Sequence, residues 1–175
     1  MEFEILHGIQ ALRSDLLDQI MIFITKLGDA GLFWIGLGLV LAIIPKTRKC
    51  GLSVLGAMAL TFILGNLILK NLVARPRPFT VDTSVPLIIP QPGEFSFPSG
   101  HTMNGFAAAT TIFLYYHKAG IATLLLAASI AFSRMYLFVH YPTDILGGII
   151  VGVFDAWLIY TLVNKWLPNW KKRKA

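Results

Sequence analysis

Charge is scarce in this chain of 175 residues. Asp, Glu, Lys and Arg together make up 14% of it, and only nine residues are acidic. An average soluble domain carries roughly 25% charged residues. With 55% hydrophobic residues and a mean hydropathy of +0.68, the chain cannot clothe its outside in polar groups. Disorder is excluded too, because disorder needs low hydrophobicity and high charge. Cysteine is nearly absent. Cys50 stands alone, which rules out a disulfide framework and a cysteine-based zinc site, and it reads as a small apolar residue near a helix start. The N-terminus lacks the basic region and long apolar core of a signal peptide, carrying Glu2 and Glu4 instead.

What the chain does have is long uncharged runs: 30–45, 50–69, 95–117, 119–133, 135–143, 145–154 and 156–164. A spanning helix needs about 20 mostly apolar residues, within a range of about 17–25. The runs and their flanks predict an all-α, integral membrane helix bundle with spans near 29–45, 51–72, 101–117, 119–138 and 144–166. Residues 1–28 differ. Leu16, Leu17, Ile20, Phe23, Ile24 and Leu27 fall at helical spacing, with Asp15, Asp18, Gln19 and Lys26 between them. This predicts an amphipathic helix that lies on the membrane or packs across the bundle. The whole chain, 1–175, is expected to form one domain, with a long loop over 73–100 and a basic tail over 167–175.

The net charge of +6 is clustered between the apolar runs, which fits membrane loops facing anionic headgroups and not nucleic acid. Lys46, Arg48 and Lys49 follow the first span, Lys118 the third, and Lys171, Lys172, Arg173 and Lys174 the fifth. Five spans place all of them on one side, which the positive-inside rule makes cytoplasmic in a multi-pass cell-membrane protein. The other side carries Lys70, Arg75, Arg77 and Arg134, against that rule. The 73–100 loop there holds six of the nine prolines. Long loops of this kind are often functional.

Three segments meet on that outer side: Lys70 to Pro78, Phe97-Pro98-Ser99-Gly100-His101, and Ser133-Arg134 through His140 to Asp144. Lys70, Arg77 and Arg134 supply cations that suit phosphate oxygens. Ser99 and Gly100 precede a helix whose free N–H groups favour an anion, and Gly100 lets the backbone come close. His140 and Asp144 are four residues apart, so a helical turn lets the carboxylate orient the ring and leave one nitrogen as a nucleophile. His101 is placed to protonate a leaving oxygen. No metal is needed for such a site. His7 and His117 read as structural, and Ser133 as bonding back within its helix.

At these residues the chain resembles the type 2 phosphatidic acid phosphatase superfamily, also called the lipid phosphate phosphatases. Its motifs, KxxxxxxRP, PSGH and SRxxxxxHxxxD, match at every spacing over 70–144. The resemblance implies that His140 attacks phosphorus and forms a phosphohistidine, that Asp144 orients it, and that His101 protonates the leaving group and then helps activate water. It implies that Lys70, Arg77, Ser99, Gly100 and Arg134 bind phosphate oxygens and that the reaction needs no metal or other cofactor. The expected substrate is a phosphorylated lipid: undecaprenyl diphosphate, phosphatidylglycerophosphate or phosphatidic acid. Some dedicated undecaprenyl diphosphatases carry Asp in place of Gly100, which leans away from them. Many bacterial members have six spans, so residues 5–25 crossing as well is the alternative to five. Arg75 is an extra cation, read against a second phosphate, lipid headgroups or Asp82. Asp155, inside the last span, is read as bonded to a buried partner such as Asn66. The competing function is a non-hydrolytic binder or transporter of lipid phosphates on the same scaffold. Vanadate-dependent haloperoxidases share the cradle but are large and soluble.

Overall fold

The computed structural model describes residues 1–167, so the predicted basic tail lies almost wholly outside the described residues. The elements run α1 (Glu2–Gln10), α2 (Asp15–Lys26), α3 (Leu32–Ile43), α4 (Arg48–Thr61), a π-helical stretch (Phe62–Leu69), α5 (Lys70–Val73), α6 (Pro78–Val81), α7 (Gly100–Tyr115), α8 (His117–Tyr136) and α9 (Pro142–Trp166). No strand occurs among the described residues.

Four helical stretches are long and apolar enough to cross a membrane: Asp15–Ile43, Arg48–Val81, His117–Tyr136 and Pro142–Trp166. The third expected span, which corresponds to α7, has 16 residues, about 24 Å of helix. It sits in the middle of the bundle, packed on α8, α9 and α4. Small side chains make this possible: Gly105, Ala107, Ala108 and Ala109 are all buried. The principal core joins Trp34, Cys50, Val54, Met58, Ile112 and Ile130. Outward-facing Leu32, Ile43, Leu72, Leu125 and Ile150 stay exposed. Such a belt is costly in water and favourable against lipid tails.

The N-terminal segment differs from its prediction in an instructive way. It is two helices, not one. Ser14 caps α2 by accepting a hydrogen bond from the Leu17 N–H at 3.3 Å. A kink then carries α2 into α3, with Ala30 and Gly31 both at positive φ (49° and 68°). Left-handed residues break one helix and start the next with little loss of length, so α2 joins the first spanning stretch. Meanwhile α1 folds over the 136–141 turn, where Leu6 packs with Phe138 and Tyr141. Leu17, Met21 and Ile22 of α2 pack on Tyr136, Leu137 and Val139 of the same turn.

The ends of the bundle are distinct. The Tyr116 hydroxyl donates to the Lys46 carbonyl at 3.1 Å, and the Asn164 amide to the Tyr115 hydroxyl at 3.2 Å. Lys46, Arg48, Lys49, Lys118 and Lys165 therefore share one end. The three motif segments gather at the other.

Candidate active site

A cavity of about 330 Å³ opens at that second end. Lys70, Arg77, Gly100, His101, Arg134 and His140 line it, with Asn66, Asn104, Glu94 and Gly28. Asp144 lies one layer behind. Ser99 is buried below the cavity, its hydroxyl accepting from Thr102 at 3.0 Å.

Helix ends place these groups. Pro142 at the first turn of α9 has no N–H to leave unsatisfied, and Asp144 caps that turn by accepting the Tyr141 N–H at 2.8 Å. The same carboxylate oxygen stands 3.4 Å from His140 Nδ1 and accepts the Ser96 hydroxyl at 2.5 Å. The turn before it holds fully buried Phe138 at φ 58°, an uncommon state for a bulky residue and one that clusters at functional sites.

The His140 tautomer follows from its neighbours. Arg77 Nη1 lies 3.1 Å from His140 Nε2, and a guanidinium can only donate. Nε2 must therefore carry the lone pair and Nδ1 the proton, aimed at Asp144. Burial drives the His140 pKa down to about 3, with the Arg77 and Arg134 charges adding to the effect against the pull of Asp144. The imidazole is neutral at ordinary pH, with its free nitrogen toward the cations.

The three cations are buried, and each is incompletely matched. Arg77 donates to the carbonyls of Glu94 at 2.7 Å and Val139 at 2.9 Å. Arg134 donates Nη1 to the Thr25 hydroxyl at 2.6 Å, while its buried Nε has no partner among the described residues. Lys70 is ion-paired with Glu94, whose side chain is 68% exposed. The Lys70 ammonium holds the Glu94 carboxyl below the usual range. His101 Nε2 lies 3.0 Å from Asp29 Oδ1. Its ring fits because position 28 is glycine: a Cβ there would come within 2.5 Å of the imidazole.

Two expectations on single residues change. Arg75 meets neither Asp82 nor open headgroup space. It bonds Asp144 and Glu2, while Asp82 pairs with His7 at 2.8 Å. Asp155 accepts from Thr61 at 2.9 Å, not from Asn66, whose amide carbonyl is itself buried at the cavity wall with no partner among the described residues. At Gly100 a Cβ would make only ordinary contacts, the nearest at 3.5 Å, so the unliganded backbone does not itself demand glycine there. Ser133 bonds back to the Ile130 carbonyl at 2.6 Å, as expected. Sequence reasoning missed Ser96, Asp29, Glu94 and Thr25. Only their proximity in space marks them.

A buried cationic cavity beside a neutral, carboxylate-oriented histidine, in an apolar helical bundle, defines a membrane lipid phosphatase. Residues 51–168 match the PAP2 superfamily, and the chain belongs to it. It is 31% identical over 143 residues to an undecaprenyl-diphosphatase of Sulfolobus acidocaldarius, covering 81% of this chain and 68% of that protein. To undecaprenyl-diphosphatase BcrC of Bacillus subtilis it is 30% identical over 158 residues, covering 90% and 80%. Among solved structures, LpxE of Aquifex aeolicus superposes with a TM-score of 0.79 at 27% identity, covering 91% of this chain and 94% of that one.

Proposed function

We propose that this enzyme removes the terminal phosphate of a lipid diphosphate, of the undecaprenyl diphosphate kind, through a phosphohistidine on His140. The observation that carries the reading is the His140 environment: Nδ1 toward Asp144, and Nε2 with its lone pair among Lys70, Arg77 and Arg134. A phosphate in the cavity meets these cations, the unpartnered Arg134 Nε and the backbone at Gly100. Nε2 forms a bond to phosphorus as the bond to the leaving oxygen breaks, and that oxygen takes a proton from His101. The phosphoimidazolium keeps its Nδ1 proton, and its positive charge is balanced by Asp144. Water then gives a proton to His101 and attacks phosphorus, releasing phosphate and restoring neutral His140.

The lipid tail has a path. A second cavity of about 500 Å³ adjoins the first, lined by Ile35, Leu55, Met58, Ala59 and Phe62. Ala30, Asn66, Glu94 and Asn104 line both. A polar head in one and a chain in the other suit a substrate entering from the bilayer. The basic residues at the opposite end of the bundle support an extracytoplasmic active site.

The names of the two undecaprenyl-diphosphatases favour a diphosphate, whereas Gly100 leans toward a monoester such as phosphatidylglycerophosphate. Phosphate release in detergent from undecaprenyl diphosphate, phosphatidylglycerophosphate and phosphatidic acid decides between them. His140→Ala is expected to be inactive yet to elute as the wild type does. Turnover by that variant removes His140 as nucleophile. A folded wild type that releases no phosphate from any of these lipids supports the binder or transporter.

A further inference from the structure

Arg75 lies just beyond Ala74, which ends α5 in the left-handed conformation (φ 47°, ψ 39°). Arg75 is not among the residues lining that cavity. Both terminal nitrogens of its guanidinium are engaged elsewhere. Nη1 donates to Asp144 Oδ1 at 2.7 Å and to the Thr143 hydroxyl at 2.6 Å, and Nη2 donates to Glu2 Oε2 at 2.5 Å. Its Cζ lies over the Tyr141 ring, 3.8 Å from its centre. Glu2 in turn accepts from the Thr143 hydroxyl at 2.6 Å and the Thr143 N–H at 3.3 Å, at the first turn of α9.

We infer that Arg75 is a positioning residue for the phosphatase reaction, a fork that fixes the Asp144 carboxylate and, through it, the His140 ring, with Glu2 of α1 bracing the fork from behind.

The geometry supports this over a phosphate-binding role. Asp144 is completely buried, and its two oxygens are used differently. Oδ2 faces the Ser96 hydroxyl, the Tyr141 N–H and His140, whereas Oδ1 takes its bond from Arg75. A planar fork held on a ring face and by a second carboxylate sets both the position and the tilt of the Asp144 plane. A lysine there would keep the charge but not the tilt. The brace also gives α1 a part in the chemistry, since Glu2 ties that helix to the α9 turn bearing Asp144.

The inference rests on the proposed role of His140, and the test separates the two. Arg75→Ala, Arg75→Lys and Glu2→Gln are compared with wild type and His140→Ala, each checked for folding by its elution and unfolding midpoint in detergent. Misplacing a catalytic group by about 1 Å costs on the order of 10²-fold in rate. Arg75→Ala is expected to lose kcat by that order with KM within about twofold, Arg75→Lys to recover part of it, and Glu2→Gln to lose less. The acid limb of the pH–rate profile moves up in Arg75→Ala. His140 is faced by Asp144 from α9, Arg77 from the loop before α6 and Arg134 from α8. Without Arg75 the Asp144 charge is less compensated, and it favours the protonated ring. A raised KM with kcat and the pH profile unmoved assigns Arg75 to substrate binding and overturns the inference. So does wild-type behaviour in the folded Arg75→Ala protein. Activity in His140→Ala instead defeats the reading of the nucleophile, independently of Arg75.

Discussion

Glu94 holds a cation proposed to bind the substrate phosphate, and this yields a quantitative expectation. Lys70 is buried, and in the unliganded site its ammonium is paired with the Glu94 carboxylate. A phosphate taking Lys70 must displace that carboxylate. Because Lys70 keeps the Glu94 carboxyl below its ordinary range, the competitor is ionised at neutral pH. The Glu94 side chain is 68% exposed, so its hold is screened and belongs with exposed pairs, worth about 0.2–1 kcal/mol. The buried Lys70 end puts it toward the top of that range. About 1 kcal/mol corresponds to roughly fivefold in affinity. Glu94→Gln is therefore expected to tighten inhibition by inorganic phosphate about two- to fivefold and to lower KM similarly, leaving kcat nearly unchanged. The gain should shrink at high salt, where exposed charges are screened. The assay is phosphate inhibition of lipid turnover in detergent, wild type against variant, at low and high salt. Weaker phosphate binding in Glu94→Gln would refute the reasoning and mean that Glu94 props Lys70 in place.

Two further outcomes follow from the same geometry. His140 is neutral in the fold and protonates in the unfolded chain, so between about pH 6.5 and about 3 the unfolded state binds more protons and stability drops as pH falls. Unfolding midpoints at neutral and acid pH should fall less in His140→Gln than in wild type; equal falls would rule out buried His140 as a source. For sidedness, Cys50 is buried and gives little background. Ser84→Cys should react with an impermeant thiol reagent on intact cells and Lys118→Cys only after permeabilisation, and the reverse order would invert the topology.

The residues proposed to carry the chemistry come together at one cavity because the family spacing ties them to helix ends. His140 and Asp144 are four positions apart, and that interval lets them meet once Pro142 starts α9. Apolar runs likewise located all five expected helices. What failed to show depends on partners far along the chain or on small departures from regular helix. The stretch 62–69 reads as ordinary apolar helix, yet it winds as a π-helix, a form that recurs at functional sites, and carries Asn66 on the cavity wall. Nothing local pairs Asp29 with His101, 72 residues away, or Glu2 with Thr143, 141 away. Thr61 was a less obvious partner for Asp155 than an amide, because a hydroxyl inside an apolar run looks like any small helical residue. The break at Ala30 and Gly31 falls within two residues of the boundary expected after residue 28, whereas the split of residues 1–28 into α1 and α2 has no comparable mark in the apolar pattern.

The site also explains why an anion of more than one charge suits it. Three buried cations meet at one cavity, and burial without compensation is expensive. In the unliganded protein the compensation is weak in kind: main-chain carbonyls for Arg77, a single hydroxyl for Arg134, and one largely exposed carboxylate for Lys70. The one fully buried carboxylate nearby, Asp144, is already matched by Arg75, Ser96 and its own helix turn. It cannot serve the three cations without giving up His140. On the proposed reading, a terminal phosphate with two negative charges would answer all of them at once and release Glu94 into water. Burial leaves His140 Nε2 unprotonated, and the positive charges of Arg77 and Arg134 add to the opposition to a proton there. On the proposed reading, the cations that would hold the phosphate thus also help keep the nucleophile unprotonated.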